Sequence, residues 1–265
     1  DYPAMNSSSC HTSESPIHTV VLVGKVPTLS MTKTRLIPSI GELSTLMLCQ
    51  SMIKDTLSCV SCQVMESCEL VWYFAPSSDR DRAEDLLNAS SCAEKWRVMP
   101  MPDVCGLRST SLTDLLKYAL LNIPDKRSCS CTLIGSDTPH LPFDEIARGQ
   151  KYAENGQCYI CPAEDGGYVL LTVPLSSELQ QCSLFDEVEW SSPNTLTTQI
   201  QALERSGFSV IVGNTYRDVD DIDDLRWLWE RRQMYIADKS VDDKYSSTPC
   251  QTLAVLEDIF LRAHV

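Results

Sequence analysis

A chain of 265 residues, 43% hydrophobic and 22% charged, has the size and balance of one large or two small soluble globular domains. Its formal charge of -14 excludes a surface built for nucleic acid or an anionic membrane, so a phosphate ligand requires a local basic exception. Thirteen cysteines, with no charged-then-apolar leader before them, lead to the expectation of a cytoplasmic protein with free thiols.

Residues 1–15 are Ser-rich, polar and without periodicity, which predicts disorder. Ile17 to Val23 is a near-continuous β-branched run, too short to span a bilayer and suited to a buried parallel strand. A loop to Pro38 follows, and Leu43, Leu46, Met47, Gln50, Ile53 and Leu57 then recur at helical spacing. Leu70–Ala75 reads as a second strand, Asp79–Asn88 as a helix opening on acids, and Trp96–Met99 as a short third strand. Leu112, Leu115, Leu116 and Ala119 mark the next helix. Strand and helix in alternation imply a mainly parallel sheet with helices on both faces.

Cys131–Ile134 then predicts a buried strand that stops at Gly135-Ser136-Asp137-Thr138-Pro139, since Gly135 permits a sharp turn and Pro139 forbids continuation. A helix over Phe143–Ala153 and a strand over Cys158–Ile160 follow. Tyr168–Val173 reads as a strand able to run antiparallel at the sheet edge, Leu196, Ile200 and Leu203 as a helix, and Phe208–Val212 as a last strand. The acidic run Asp218–Asp224 opens a helix carrying Leu225, Leu228 and Trp229. Residues 234–250 are linker-like, and Leu253, Leu256 and Phe260 suggest a closing helix. Two Cys-x-x-Cys pairs, Cys59/Cys62 and Cys158/Cys161, have zinc-like spacing. One falls at a helix end and the other on a strand running into Pro162, so ordinary thiols are the better reading.

Asp137 sits at the carboxyl end of a central strand, where open α/β sheets bind ligands, although from this fragment alone an Asx-turn is the favoured reading. Lys25, Lys33 and Arg35 supply the local basic exception, in the first loop, where phosphates are commonly held; the competing reading is a solvated loop. Asp218 and Asp220 suit a helix start by themselves. Together with Asp137 they gain a second meaning, because carboxylates from separated strand ends hold Mg²⁺ beside a phosphate. No Gly-x-Gly-x-x-Gly or Walker-type motif is present.

The succession Lys25-x-Pro27 with Lys33-Thr34-Arg35-Leu36, Gly135-Ser136-Asp137-Thr138-Pro139, Pro162-Ala163-Glu164-Asp165-Gly166-Gly167-Tyr168, Leu184-Phe185 with Trp190-Ser191, and Asp218-Val219-Asp220 with Asp224-Leu225 resembles a family of glycosyltransferase-A-type, nucleotide-diphospho-sugar transferase-like proteins. The likeness runs from about Ile17 to Leu228. The Lys-Thr-Arg-Leu loop and the closing Asp-x-Asp also resemble phospholactate guanylyltransferases and, more distantly, molybdenum-cofactor nucleotidyltransferases. The resemblance implies an α/β fold with one mixed sheet, a nucleotide over the first loop, and Mg²⁺ or Mn²⁺ held by Asp137 and Asp220, with Asp218 as a further ligand. It also implies phosphate binding by Lys25, Lys33 and Arg35, and an acceptor side shaped by Asp165, Gly166, Gly167 and Tyr168, with Asp165 orienting or deprotonating the acceptor.

Four departures bear on that carry-over: Ser30 stands where glycine is usual, Cys105-Gly106-Leu107-Arg108 replaces a Gly-Asp-Leu-Gly-like element, Cys161 stands for glycine and Asp221 for threonine. The expected division is a disordered segment 1–15, a transferase-like domain 16–233 and a C-terminal extension 234–265. The expected function is a metal-dependent transferase acting from a nucleotide-sugar or nucleoside triphosphate onto a small-molecule acceptor. Its alternatives are a nucleotidyltransferase releasing pyrophosphate and a non-catalytic nucleotide-binding scaffold.

Overall fold

The computed structural model describes residues 17–63, 68–90, 93–102, 112–142, 144–175, 183–237 and 249–262, without the side chains of 62, 63, 233–237 and 262. The β-branched run forms β1 (Ile17–Lys25), whose successive side chains enter opposite faces of a sheet. Val20 and Leu22 join one apolar cluster and Val21 another, all fully buried. Burial on both sides is why the run carries no polar alternation.

In chain order there follow α1 (Ile37–Ile40), α2 (Glu42–Gln63), β2 (Cys68–Ala75), α3 (Arg80–Asn88), β3 (Trp96–Pro100), α4 (Leu112–Leu121), β4 (Ser128–Ile134) and α5 (Asp144–Glu154). The second half adds β5 (Cys158–Pro162), β6 (Tyr168–Pro174), α6 (Thr195–Arg205), β7 (Val210–Val212), α7 (Ile222–Ala237) and α8 (Cys250–Arg262). The seven strands form one sheet in the order β3-β2-β1-β4-β6-β5-β7. All neighbours pair parallel except β6, which runs antiparallel to both β4 and β5. Ile53 and Leu57 of α2, Leu86 of α3 and Ile146 of α5 pack on one face; Leu116 of α4 and Leu203 of α6 pack on the other.

The mixed α/β architecture is the expected one, with local differences. β6 is antiparallel but lies inside the sheet, because Val169 to Val173 are buried on both faces and would leave an apolar edge unpaired. The three-residue β7 takes the edge instead, with Val212 52% exposed. α7 starts at Ile222, so Asp218 and Asp220 lie in the loop before the helix, and Asp221 caps it by accepting hydrogen bonds from the Asp223 and Asp224 amides at 2.9 and 3.1 Å. The segment read as a linker begins inside α7; its residues 238–248 lie outside the described residues, as do residues 1–16, Phe143 and the Cys105–Arg108 element.

Strand alternation disposes of one zinc pair. Cys158 and Cys161 belong to clusters on opposite faces of the sheet, so the two thiols cannot share an ion. Among the described residues, cysteines with described side chains carry free thiols, and no helix is long and apolar enough to cross a membrane. α8 packs on α2 and α7 through Leu253 and Leu256, which meet Leu48, Met52, Leu225 and Leu228 in a third apolar cluster. Its first turn is fixed by the Asp55 carboxylate of α2, which accepts the Gln251 and Thr252 amides at 3.0 and 2.7 Å.

One buried acid ties the sheet edge to α5. Glu145, 1% exposed, accepts hydrogen bonds from Tyr216 Oη at 2.6 Å, Asn214 Nδ2 at 2.7 Å, Arg148 at 3.2 Å and the Tyr159 hydroxyl. Burial alone would raise its pKa, but the donors of Tyr159, Tyr216 and Asn214 outweigh it and hold the carboxyl below its usual value. A Cβ on Gly213 would lie 2.3 Å from the Tyr159 hydroxyl, so the strand end beside this network requires glycine. Glu145→Ala leaves the buried Tyr159 hydroxyl and the half-buried Tyr216 hydroxyl without their acceptor and is expected to cost about 2–3 kcal/mol in urea denaturation. A loss under about 1 kcal/mol would show that the network contributes little.

Candidate functional site

At β1 the strand order reverses: β2 lies on one side and β4 on the other, which opens a crevice at their carboxyl ends. Lys25 closes β1 and is exposed. The loop beyond it holds two non-glycine residues in the left-handed region, Ser30 at φ 62° and Lys33 at φ 43°. The Ser30 hydroxyl donates to Glu42 Oε1 at 2.8 Å and helps hold the turn. Leu36, fully buried in the third cluster, roots the loop, and its amide donates to the Lys33 carbonyl at 2.9 Å.

Asp137 follows β4. A Cβ on Gly135 would lie 2.7 Å from Asp137 Oδ1, so glycine at that turn lets the carboxylate fold back against the chain. The carboxylate faces Lys33 across the crevice and does not cap its own turn among the described contacts. The Asp137 carbonyl accepts the Val219 amide at 2.9 Å, joining the loop after β4 to the segment before α7. Val219 is fully buried in the same cluster as Leu36, and its neighbours Asp218 and Asp220 are thereby set beside Asp137. Asp224 Oδ2 accepts the Asp220 and Asp221 amides at 2.8 and 2.9 Å while its Oδ1 pairs with Arg217 Nε at 2.7 Å, which fixes the Asp220 backbone.

One carboxylate oxygen from each of Asp137, Asp218 and Asp220 lies within 4.8 Å of the others. Such a set of hard oxygen donors suits Mg²⁺ or Mn²⁺. Lys33 Nζ lies 2.5 Å from Asp220 Oδ1 and 3.6 Å from Asp137 Oδ2, and its side chain is only 14% exposed. Burial opposes the charge on Lys33, but Asp137 and Asp220 overcome it and hold the ammonium above its ordinary pKa. Arg35 reaches Asp220 Oδ2 at 3.6 Å from a side chain that is 77% exposed. Asp218 is pushed up to about 6 by burial and by the neighbouring carboxylates of Asp137, Asp165 and Asp220.

On the far side of Asp137 a cleft of about 350 Å³ has Val23, Leu116 and Val169 on its apolar surface and Asp137 and Asp165 among its polar groups. Asp165 is exposed, and its Oδ1 accepts the Gly167 amide at 2.8 Å. Gly167 and Tyr168 also line the cleft, whereas Gly166, at φ 93°, is pressed against the Pro193 backbone, where a Cβ would lie 2.4 Å from the carbonyl oxygen. The Tyr168 hydroxyl donates to Gln199 at 3.1 Å. Trp190 forms a wall of the cleft, held by its Nε1 donating to Thr113 Oγ1 at 2.7 Å. No role was assigned to Trp190 or Asp224 from the sequence; the signal was present in the Trp190-Ser191 and Asp224-Leu225 pairs.

Beneath the Asp137 loop, His140 is 7% exposed, with its ring centroid 5.1 Å from that of Trp227 on α7, and neither ring nitrogen has a partner within the protein. Burial, with Arg231 nearby, pushes its pKa down to about 4. A depressed imidazole stabilises the fold above the unfolded value of 6.5, and that contribution is lost as pH falls from 6.5 towards 4, about 3 kcal/mol in all. His140→Phe keeps the ring contact and is expected to flatten this acid-side loss in urea denaturation between pH 7.5 and 4.5. An unchanged slope would assign the loss to another group.

The sequence matches, over residues 59–192, a family described as uncharacterised protein conserved in bacteria, DUF2064. No curated protein matches it. Among solved structures, a candidate nucleotide-diphospho-sugar transferase from Desulfovibrio desulfuricans G20 is similar at 20% identity and TM-score 0.70, covering 94% of this chain and 98% of its own. The 4-diphosphocytidyl-2C-methyl-D-erythritol synthase of Anaerococcus prevotii DSM 20548 has 11% identity and TM-score 0.53, covering 82% of this chain and 99% of its own. A cytidylyltransferase from Leptospira borgpetersenii has 10% identity and TM-score 0.52, covering 94% and 96%. At these identities the likeness is one of fold.

Proposed function

This chain belongs to the DUF2064 family of uncharacterised proteins conserved in bacteria, and we propose that it is a divalent-metal-dependent transferase using a nucleotide-sugar or nucleoside triphosphate donor. The observation that carries this reading is the convergence of Asp137, Asp218 and Asp220 opposite Lys33 and Arg35, at the carboxyl ends of the strands where the sheet order reverses. In this reading the working unit is residues 16–233, with the C-terminal α8 buttressing α2.

The three aspartates hold Mg²⁺ or Mn²⁺, which when bound neutralises charge on the leaving pyrophosphate or nucleoside diphosphate. Lys25, Lys33 and Arg35 fix the phosphates, so that catalysis relies on positioning and electrostatics. The acceptor occupies the cleft between Asp165 and Trp190, where the apolar surface excludes water and Asp165 takes the proton of its attacking hydroxyl. The fold shared with a candidate nucleotide-diphospho-sugar transferase supports the glycosyl reading, and the fold shared with a cytidylyltransferase supports nucleotidyl transfer. Fold alone does not choose between them.

Calorimetry with a panel of nucleoside triphosphates and nucleotide-sugars, with and without Mg²⁺ or Mn²⁺, is expected to show metal-dependent binding that Asp137→Asn weakens by at least about tenfold. Binding indifferent to both metal and Asp137 would remove the assignment. With a donor in hand, release of a nucleoside diphosphate marks glycosyl transfer and release of pyrophosphate marks nucleotidyl transfer. Asp165→Asn is expected to lower turnover by about 10²–10⁴ while leaving donor affinity unchanged. Equal losses of both would count against a proton-accepting role.

A further inference from the structure

We infer that Lys33 is the resident counter-ion of the carboxylate cluster, so that the site takes its divalent cation together with a diphosphate-bearing ligand and discriminates against the free ion. The inference rests on the metal reading above and goes beyond it by giving the chemical form of the ligand. Lys33 Nζ contacts Asp220 Oδ1 at 2.5 Å and Asp137 Oδ2 at 3.6 Å, which places its ammonium against two of the three acids whose oxygens converge.

The ammonium is not a passing surface contact. The side chain is 14% exposed, the backbone is held at φ 43°, and the loop is anchored three residues on by the buried Leu36. Arg35, by contrast, is 77% exposed and meets the cluster only at Asp220 Oδ2, 3.6 Å away, so its guanidinium is free to turn to an incoming ligand. A free dication approaching Asp137 and Asp220 therefore meets a fixed positive charge on the oxygens it needs. A cation arriving with a diphosphate brings anionic oxygens with it. Lys33 can then exchange carboxylate for phosphate within the reach of its flexible stem, and both aspartates are released in the same event. Lysine suits that exchange better than arginine, because a compact ammonium carries no fixed bidentate geometry to one carboxylate.

The test is protein-bound Mn²⁺ measured by equilibrium dialysis, with Mn²⁺ alone and with inorganic pyrophosphate equal on both sides of the membrane, so that Mn²⁺ complexed by free pyrophosphate is not counted as bound. Wild type is expected to bind Mn²⁺ weakly alone and far more tightly with pyrophosphate. Lys33→Met is expected to bind Mn²⁺ alone at least about tenfold more tightly than wild type and to lose most of the pyrophosphate effect. Lys33→Arg retains the charge and should stay close to wild type for Mn²⁺ alone. Lys33→Gln repeats the charge removal with a shorter polar side chain, so a folding defect in one variant does not decide the result. Mn²⁺ affinity of the neutral variants equal to or below wild type overturns the counter-ion role. The metal reading fails separately if wild type with pyrophosphate binds no Mn²⁺, or binds it no better than Asp137→Asn does.

Discussion

The hydrogen bond from the Val219 amide to the Asp137 carbonyl, at 2.9 Å, is the constraint on which the candidate site depends. It fastens the end of a central strand to a segment some eighty residues further along the chain and thereby gathers carboxylates that repel one another. The fold bears that repulsion by rooting both sides in one apolar cluster: Leu36 beneath the basic loop and Val219 between the acids are each fully buried there. Burial of two aliphatic side chains, each contributing about 1.5–3 kcal/mol, offsets the local electrostatic cost. Lys33 and Arg35 compensate part of the charge directly.

The architecture was largely legible because the sheet is buried on both faces. Continuous apolar runs at β1, β2 and β4, separated by helical periodicities, admit few arrangements other than parallel strands with helices above and below. The position of β6 was less legible, since an antiparallel strand within the sheet and one at its edge differ in pairing partners and not in local sequence. Here the complete burial of Leu170, Leu171 and Val173 decides the matter, and burial follows only from the assembled layers.

The site divided in the same way. Aspartates 137, 218 and 220 could be singled out because each lies beside a strand end or a helix start, and their convergence is a tertiary fact that the Asp-Val-Asp spacing foreshadows through its buried middle residue. The basic loop was harder to interpret. Lysine and arginine two residues apart read as equivalent phosphate ligands, yet the left-handed backbone at Lys33 turns its side chain inward against the acids while Arg35 faces solvent. Glu145 was invisible for a related reason: an acid near a helix start satisfies local rules by itself, and its donors arrive from Tyr159, Asn214 and Tyr216 on other elements.

The docking of α8 onto α2 has a consequence for the order in which the molecule is built. Asp55 leaves the ribosome 196 residues before Gln251, the first of the α8 amides it receives. Until then Leu48 and Met52 of α2 lack the side chains of Leu253 and Leu256 that cover them, and the cluster anchoring Leu36 and Val219 is incomplete. The sheet can assemble during synthesis, domain-internal contacts forming as strands emerge. The crevice above it reaches its final shape only once α8 has been made and has docked, so the basic loop depends on a helix encoded far from the sheet beneath it.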